Sequence, residues 1–591
     1  MENRDIAAVL ERIAVLKELA GENVFKTRSF QNAARILEGL AESAAVLSRE
    51  GRLREIPGVG EAIARVIGQV VDTGTCAELD QLLKEIPSGL LDILELQGVG
   101  PKKARAVWKE LDVTTLDGLE RACREHRVRT LDGFGAKSEE KILEAIGSRR
   151  SHAGFFLYNQ ALALARALVL TVEESGLCER VEIAGSLRRG KDTVKDADIL
   201  LVYQSEKSVP ALREKLIALA DLKPGQTEER AIIGRGDTKV SLRFRGLQVD
   251  FRLIPARSAA CALQYFTGSK DHNTQLRGFA KTLGYKLNEY EIAGERKSLH
   301  PKTEEELYRT LGFDWIPPEL REGAGELEAA RAGKLPRLLE QRDLRGLIHC
   351  HSVYSDGALT LRELAEECRE RGYDYLCLSD HSQSARYAGG LPPETLKKQR
   401  AEIEALNRAY APFRIFHGVE SDIRADGSLD YPPEILDQLD FVIGAVHSKL
   451  GMTKDEATAR LLSAVRQPYL SVLAHPSGRL LLARDGYEYD GDRMIEALAE
   501  EGVVLEHNCH PSRLDPDWRF LKKASAAGIT VSIDPDLHGR EGFDHIELGC
   551  LMARKAWLGP DRILGCRTGE EIDEYFRKRK ERARRRTGPR A

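Results

Sequence analysis

From about residue 346 to 538, short apolar runs alternate with amphipathic stretches of helical period such as LTLRELAEECRERG and DRMIEALAEEG, and the runs end alike. YLCLSDH, FRIFHGVE, FVIGAVH, SVLAH, VVLEHN and TVSIDPDLH each carry His, Asp or Glu at or near their ends. HCHSVYSDG, at 349–357, sets two histidines one residue apart, with an aspartate five positions after the second. Repeated strand-helix units predict an α/β barrel, and in such barrels chemistry collects at the C-terminal strand ends. Side chains alternate along a strand, so His349 and His351 face the same way. One such pair is metal-ligand geometry or coincidence, and a lone buried histidine is more often satisfied by core hydrogen bonds. Taken together, His349, His351, Asp356, His381, Glu420, His447, His475, Asp536 and His538 predict a centre of two or three metal ions. Mixed imidazole and carboxylate donors suit manganese, zinc or iron better than magnesium.

At 591 residues the chain exceeds what one core serves. With 42% hydrophobic and 31% charged residues it reads as ordinary globular protein. The formal net charge of -4 does not bear on nucleic-acid binding, which is made by local basic surfaces. Ten cysteines scattered singly, with no CxxC pair, argue against a disulfide framework or a thiolate zinc site and for a reducing cytoplasm. The first residues lack the pattern of a signal peptide and no stretch approaches transmembrane length. The expectation is a cytoplasmic, nucleoid-associated protein with no membrane partner, monomeric by default.

Within the first 150 residues IPGVGEAIARVI (56–67), LQGVGPKKARAVW (96–108) and LDGFGAKSEEKIL (131–143) repeat one pattern: an apolar residue, one intervening position, Gly-x-Gly, then a helix. A single Gly-x-Gly is a common helix terminator. Three in register expose backbone N–H groups at helix starts, where phosphate oxygens can sit. They resemble helix-hairpin-helix DNA-binding motifs, with Gly58, Gly60, Gly98, Gly100, Gly133 and Gly135 at the hairpins. In FKTRSFQNAARILEGL, Lys26 and Arg28 are candidates for a 5'-phosphate contact or plain exposed helix charges. The closing run RKRKERARRRTGPRA is solvated or DNA-contacting.

AGSLRRGKDTVKDADILLV places Gly185, Ser186 and two arginines ahead of Asp196 and Asp198, two apart on one strand face. Asp250 lies in LQVDFRLIP, after a hairpin around Arg245-Gly246, on a strand able to pair alongside. Three carboxylates suit two hard cations, Mg2+ or Mn2+, and in-line phosphoryl displacement. Ser186 and the backbone after Gly185 are placed to hold triphosphate oxygens, with Arg189 offsetting their charge.

From FKTRSFQNAARIL through WIPPELREG, and including YFTGSKDHNTQLR, the chain resembles the DNA polymerase X family of the nucleotidyltransferase superfold. The resemblance implies that Tyr265 and Phe266 pack on the incoming sugar, that Gly268 belongs to the nucleotide site, and that Asn273 reaches the minor-groove edge of the nascent pair and Arg277 the template strand. It also implies that Asp198 and Asp250 hold the ion that activates the primer hydroxyl, and Asp196 and Asp198 the one on the triphosphate. One departure stands out. Members with deoxyribose-phosphate lyase activity carry a lysine where this chain has Val66, and no lysine occurs from Gly58 to Leu83. Schiff-base chemistry needs an amine, so weak or absent lyase activity is expected.

The region from 346 resembles the polymerase and histidinol phosphatase (PHP) domain, a distorted barrel of seven strand-helix units whose metal cluster hydrolyses phosphoesters. All nine ligand positions are filled, while Leu347 stands where many members have an aspartate, which puts metal affinity in question more than chemistry.

The expected organisation is therefore multidomain. An all-α helix-hairpin-helix region has a first domain at 1–90 and a fingers-type domain at 91–150. An α+β nucleotidyltransferase core follows, with a palm at 151–255 and a thumb at 256–320. A linker at 321–345 leads to a distorted (β/α)7 PHP barrel at 346–575 and a basic tail at 576–591. The expected function is short-gap filling in base excision repair on gapped or primer-template DNA with deoxynucleoside triphosphates, together with a 3'-5' exonuclease in the barrel. Alternatives are a purely structural barrel, a DNA-end-binding scaffold, and a small-molecule phosphatase.

Overall fold

A computed structural model describes residues 3–38, 40, 42–96, 98–219 and 230–587. The chain forms two compact units, Met1–Ala153 and Gly154–Ala591. The first is all-helical around one apolar core running from Ile6 to Ile146, so the division expected near residue 90 falls inside a shared core. Each Gly-x-Gly opens a helix: Glu61–Thr73, Pro101–Leu111 and Ala136–Ser151.

In the second unit a five-stranded sheet runs in the order Arg180–Ile183, Asp196–Tyr203, Leu247–Pro255, Lys239–Phe244, Arg230–Arg235. Asp196–Tyr203 and Leu247–Pro255 pair in parallel with Asp198 opposite Asp250. The expected hairpin is present, with Phe244 opposite Leu247. Its two turn residues, Arg245 and Gly246, have φ of 49° and 83°, the twist a two-residue hairpin favours. Helices Ala259–Thr267, Lys270–Thr282 and Glu304–Thr310 gather around a separate apolar core.

The segment 321–345, expected as a linker, is built into this core. Arg321 is fully buried and pairs with Glu304 at 2.5 Å, and the helix Glu326–Arg331 buries Glu326, Leu327 and Ala330. Its polar composition reads as linker, but inside the core Arg321 Nε donates to Ile316 O at 2.9 Å and Nη1 to Glu304, while Glu326 meets His272 at 2.7 Å.

The barrel follows. Its strands are Gly346–Cys350, Tyr375–Leu378, Arg414–His417 with its continuation Glu420–Asp422, Ile443–Ala445, Val472–Leu473, Val504–Asn508 and Val531–Asp534, every pairing parallel. The ring closes where His351 N–H donates to Leu537 O at 2.8 Å and Leu537 N–H to His349 O at 3.1 Å.

The basic run at the end of the chain is not a free tail. It lies in the helix Gly569–Thr587, whose Ile572 and Phe576 are buried against the barrel. Phe576 stacks on Phe441 at 4.9 Å, and Tyr575 Oη reaches the carbonyls of Ser471 and Gly502 at the strand starts. The helix therefore covers the end of the barrel opposite the histidines. Arg582 and Arg586 pair with Glu501, and Arg584 with Asp437. Apolar residues at helical spacing inside the basic run give it a face to bury; residues 588–591 lie outside the described residues.

Candidate active sites

Burial divides each hairpin in the same way. Ile56 and Val59, Leu96 and Val99, and Leu131 sit in the core, while all six hairpin glycines are exposed. Gly58, Gly98 and Gly133 have φ of 78°, 81° and 75°, which only glycine adopts readily. Gly60, Gly100 and Gly135 are not in that region, and a β-carbon at each would meet nothing within 4 Å. Packing within the fold does not require glycine there. Lys26 and Arg28 are exposed on the helix Val24–Glu38, and Val66 is buried in the core.

At the sheet, Asp196 and Asp198 share a strand and Asp250 stands beside Asp198 on the neighbouring one. Burial, and then the charges of Asp196 and Asp250, push Asp198 up to about 6, against the pull of Arg252. Burial opposes ionisation of Asp250 too, but Lys239 at 2.6 Å and the Ser241 hydroxyl hold it below the usual range. Three crowded carboxylates with two nearby cations fit a site for divalent ions. Over them lies the turn Gly185–Arg188, with Ala184 N–H donating to Asp198 O at 2.8 Å. Arg189 is nearly buried; its Nε donates to Glu322 at 3.1 Å and its Nη1 to Thr267 O at 2.5 Å. Tyr265 and Phe266 meet edge to face at 5.1 Å, and the Arg252 guanidinium lies 4.1 Å over Phe266. Asn273 is fixed by Gln264 and Tyr265 O, each at 2.7 Å, Gly268 has φ 71°, and Arg277 is exposed.

The nine barrel residues converge. His351, Asp356, His381 and His538 form one group of donor atoms, His349, His351 and Asp536 a second, and His381, Glu420 and His447 a third. His475 Nε2 joins at 3.2 Å from Glu420. Among the described residues the buried His349 Nε2, His351 Nδ1 and Nε2, His381 Nδ1 and Glu420 Oε2 make no hydrogen bond, although His381 Nδ1 stands only 2.8 Å from Glu420 Oε2. The donor atoms of each group lie within 4.8 Å of one another, close enough for ligands to share a cation. Burial alone would raise the Glu420 pKa, yet His447, His381 and His349 hold it well below the carboxylate range. His349, His475 and Asp536 have φ of 61°, 26° and 51°, strain of the kind that collects at functional sites.

Behind these donors stand residues that the sequence reading left unassigned. Glu506 takes His349 Nδ1 at 2.6 Å, and Asp422 takes His447 Nδ1 at 2.6 Å. Asp534, beside Glu506, is pushed well above its ordinary pKa by burial and by that neighbouring charge. Asp380 accepts from Ser352, Ser355 and Gln399 and so holds the loop that carries Asp356. Leu347, at the position noted above, packs in the core. Glu506 and Asp534 were detectable as acids inside otherwise apolar strand runs.

A three-carboxylate sheet beneath a Gly-Ser-x-Arg-Arg turn, in one compact unit with a barrel of convergent histidines, defines a nucleotidyltransferase polymerase fused to a metal-dependent phosphoesterase. Family models match in the same order: a helix-hairpin-helix domain over 1–76, a SAM-like helix-hairpin-helix tandem over 90–148, the DNA polymerase beta thumb over 262–322 and the PHP domain over 348–510. The chain is 38% identical over 585 residues to the DNA polymerase/3'-5' exonuclease PolX of Bacillus subtilis, covering 98% of this chain and 100% of that one. The barrel region is 25% identical to a probable phosphatase of a Thermoanaerobacter species, over 39% of this chain and 94% of that protein. A probable phosphatase of Acetivibrio thermocellus is 24% identical over 40% of this chain and 97% of its own length. The chain belongs to the PolX family of DNA polymerase/3'-5' exonucleases. Among the described residues no helix is long and apolar enough to cross a membrane.

Proposed function

We propose that the chain fills short gaps during DNA repair, with synthesis at Asp196, Asp198 and Asp250 and removal of 3'-terminal nucleotides at the barrel cluster. The observation that carries this reading is the coexistence, in one compact unit, of a three-carboxylate sheet and a separate nine-donor centre. Divalent ions, magnesium or manganese at the sheet and manganese, zinc or iron at the barrel, supply charge neutralisation and nucleophile activation when bound.

The chain's own residues do the positioning. Ser186 and the backbone after Gly185 take triphosphate oxygens, and Arg189 offsets their charge. Tyr265 and Phe266 form a wall against the sugar, Gly268 leaves room beside it, Asn273 reads the minor-groove edge and Arg277 meets the template. Exposed glycine hairpins grip DNA backbone without reading sequence, and Lys26 holds the 5'-phosphate across the gap. In the barrel, Glu506 and Asp422 fix the rings of His349 and His447 so that their inner nitrogens face the centre. Val66 leaves no amine at that point, which supports weak or absent lyase activity; strong borohydride trapping on an incised abasic substrate would overturn this.

The test uses a labelled primer on a one-nucleotide-gapped, 5'-phosphorylated duplex with manganese, with and without deoxynucleotides. Asp198→Ala should abolish extension and spare shortening, and His351→Ala should do the reverse. Shortening that survives His351→Ala removes the nuclease from the barrel.

A further inference from the structure

The barrel contacts the polymerase core on the loop that carries Arg189. The barrel helix Gly542–Lys555 begins four residues after His538, and its last turns press on that loop. Lys555, with a side chain 1% exposed, donates to Arg189 O at 3.0 Å, to Glu319 O at 3.4 Å and to Glu322 Oε1 at 2.5 Å. One turn earlier Leu551 packs so tightly on Gly190 that a β-carbon there would stand 2.8 Å away. From the barrel rim, Arg479 pairs with Asp192 at 3.6 Å. Burying an ammonium is costly, and well-packed apolar residues serve adhesion at least as well. A lysine aimed at one loop therefore calls for a reason beyond adhesion.

The charges supply one. Glu322 accepts from Arg189 Nε at 3.1 Å and from Lys555 Nζ at 2.5 Å, so two cations share one carboxylate. With Arg189 alone, Glu322 would close a one-to-one ion pair, and a phosphate would have to break it. With Lys555 present the two cations share that carboxylate and exceed it by one positive charge, while Arg189 Nη1 donates to the neutral Thr267 O at 2.5 Å. Burial works against both ionised forms. Even so, Lys555 and Arg189 together keep Glu322 below the usual carboxylate range, and Glu322 opposes the downward pull of burial on Lys555.

We propose that Lys555, a residue of the phosphoesterase barrel, is a positioning residue of the polymerase site: it holds Glu322 so that the Arg189 guanidinium stays available to the triphosphate of the incoming nucleotide. The inference rests on the assignment of Arg189 to the nucleotide site. It makes the barrel a working part of synthesis, independent of its own hydrolytic centre.

The experiment measures KM for the deoxynucleotide and kcat in single-nucleotide gap filling by the full chain, with manganese-dependent exonuclease activity of the same preparations as the folding control. Lys555→Met should raise KM about tenfold with a smaller change in kcat, Lys555→Arg should restore it, and exonuclease activity should stay at the wild-type level. Adding Glu322→Gln to Lys555→Met should return KM toward wild type, because the carboxylate that traps Arg189 is gone. An unchanged KM in Lys555→Met overturns the proposal. So does a raised KM that persists in the double variant, since the lysine would then only brace the interface. If Lys555→Met loses exonuclease activity through misfolding, Glu322→Gln alone decides: an equal or lower KM supports the proposal and a higher one overturns it. Arg189→Ala separates the two layers. If it leaves KM unchanged, the nucleotide role of Arg189 fails and this proposal with it; if it raises KM while Lys555→Met does not, only the role of Lys555 falls.

Discussion

Gly185 lies against Asp198 so closely that a β-carbon at position 185 would stand 2.6 Å from Asp198 Oδ2. Its φ of 64° is also in the region that side chains disfavour. The turn Gly185–Arg188 and the central carboxylate are thus fitted to each other through the absence of one side chain. Gly185→Ala is expected to lower gap-filling kcat at least tenfold while leaving exonuclease activity and thermal stability of the barrel near wild type. Full polymerase activity in this variant would show that the close approach is not needed for synthesis.

Glu506 is predicted to set the metal affinity of the barrel through His349. Its carboxylate meets Nδ1 at 2.6 Å, and burial together with the charge of Glu506 raises the pKa of the neighbouring Asp534. Outer partners of this kind typically contribute 10- to 100-fold in metal affinity. Glu506→Gln should weaken manganese binding by about that factor, read by calorimetry and by the manganese concentration at half-maximal exonuclease activity. Gap filling should be unchanged. An unaltered manganese midpoint would remove Glu506 from the centre.

Much of this site was legible because spacing carries it. Strand ends repeat, so nine donors could be read in order, and alternation put Asp196 and Asp198 on one face before any geometry was known. The roles of Asp422 and Asp380 were harder, because a buried acid in a strand or strand-end loop has no spacing of its own and its role depends on which imidazole or loop folding brings opposite. Arg321 and Glu326 read as linker polarity because composition cannot tell a solvated charge from one paired in a core. The C-terminal run was read by its arginines, although Ile572, Tyr575 and Phe576 among them mark an apolar helix face. Lys555 had no local signal, since its partners lie more than 200 residues earlier in the chain.

Glu304 ties the thumb together and should give the protein a defined acid sensitivity. Burial works against its charge, but Arg321 at 2.5 Å and Arg188 at 2.7 Å pull its pKa down to about 2. A carboxyl depressed in the folded state stabilises at and above its unfolded pKa, and that stabilisation is lost as pH falls through the folded value. A carboxyl lowered from its ordinary range to about 2 contributes on the order of 3 kcal/mol. Wild type should therefore be more stable than Glu304→Gln at pH 7, with the difference in Tm shrinking between about pH 5 and about pH 2. A difference independent of pH over that range would assign the stability to packing instead.

Tyr387 is predicted to set how the barrel recognises a DNA end. Its side chain is 73% exposed, yet its ring lies 6.2 Å from that of His381 and 6.4 Å from that of His447. An exposed aromatic ring beside a phosphoesterase centre contributes little to packing, and it is well suited to stack on a nucleobase. Stacking of this kind is worth about 1–3 kcal/mol per base. Tyr387→Ala should accordingly raise KM for an oligonucleotide with an ordinary 3'-terminal nucleotide by roughly 5- to 150-fold, and Tyr387→Phe should keep the wild-type value because it keeps the ring. An oligonucleotide whose 3'-terminal residue is abasic offers nothing to stack on, so wild type and Tyr387→Ala should process it alike. Equal losses on both substrates would mean that Tyr387 shapes the metal centre rather than reading the base.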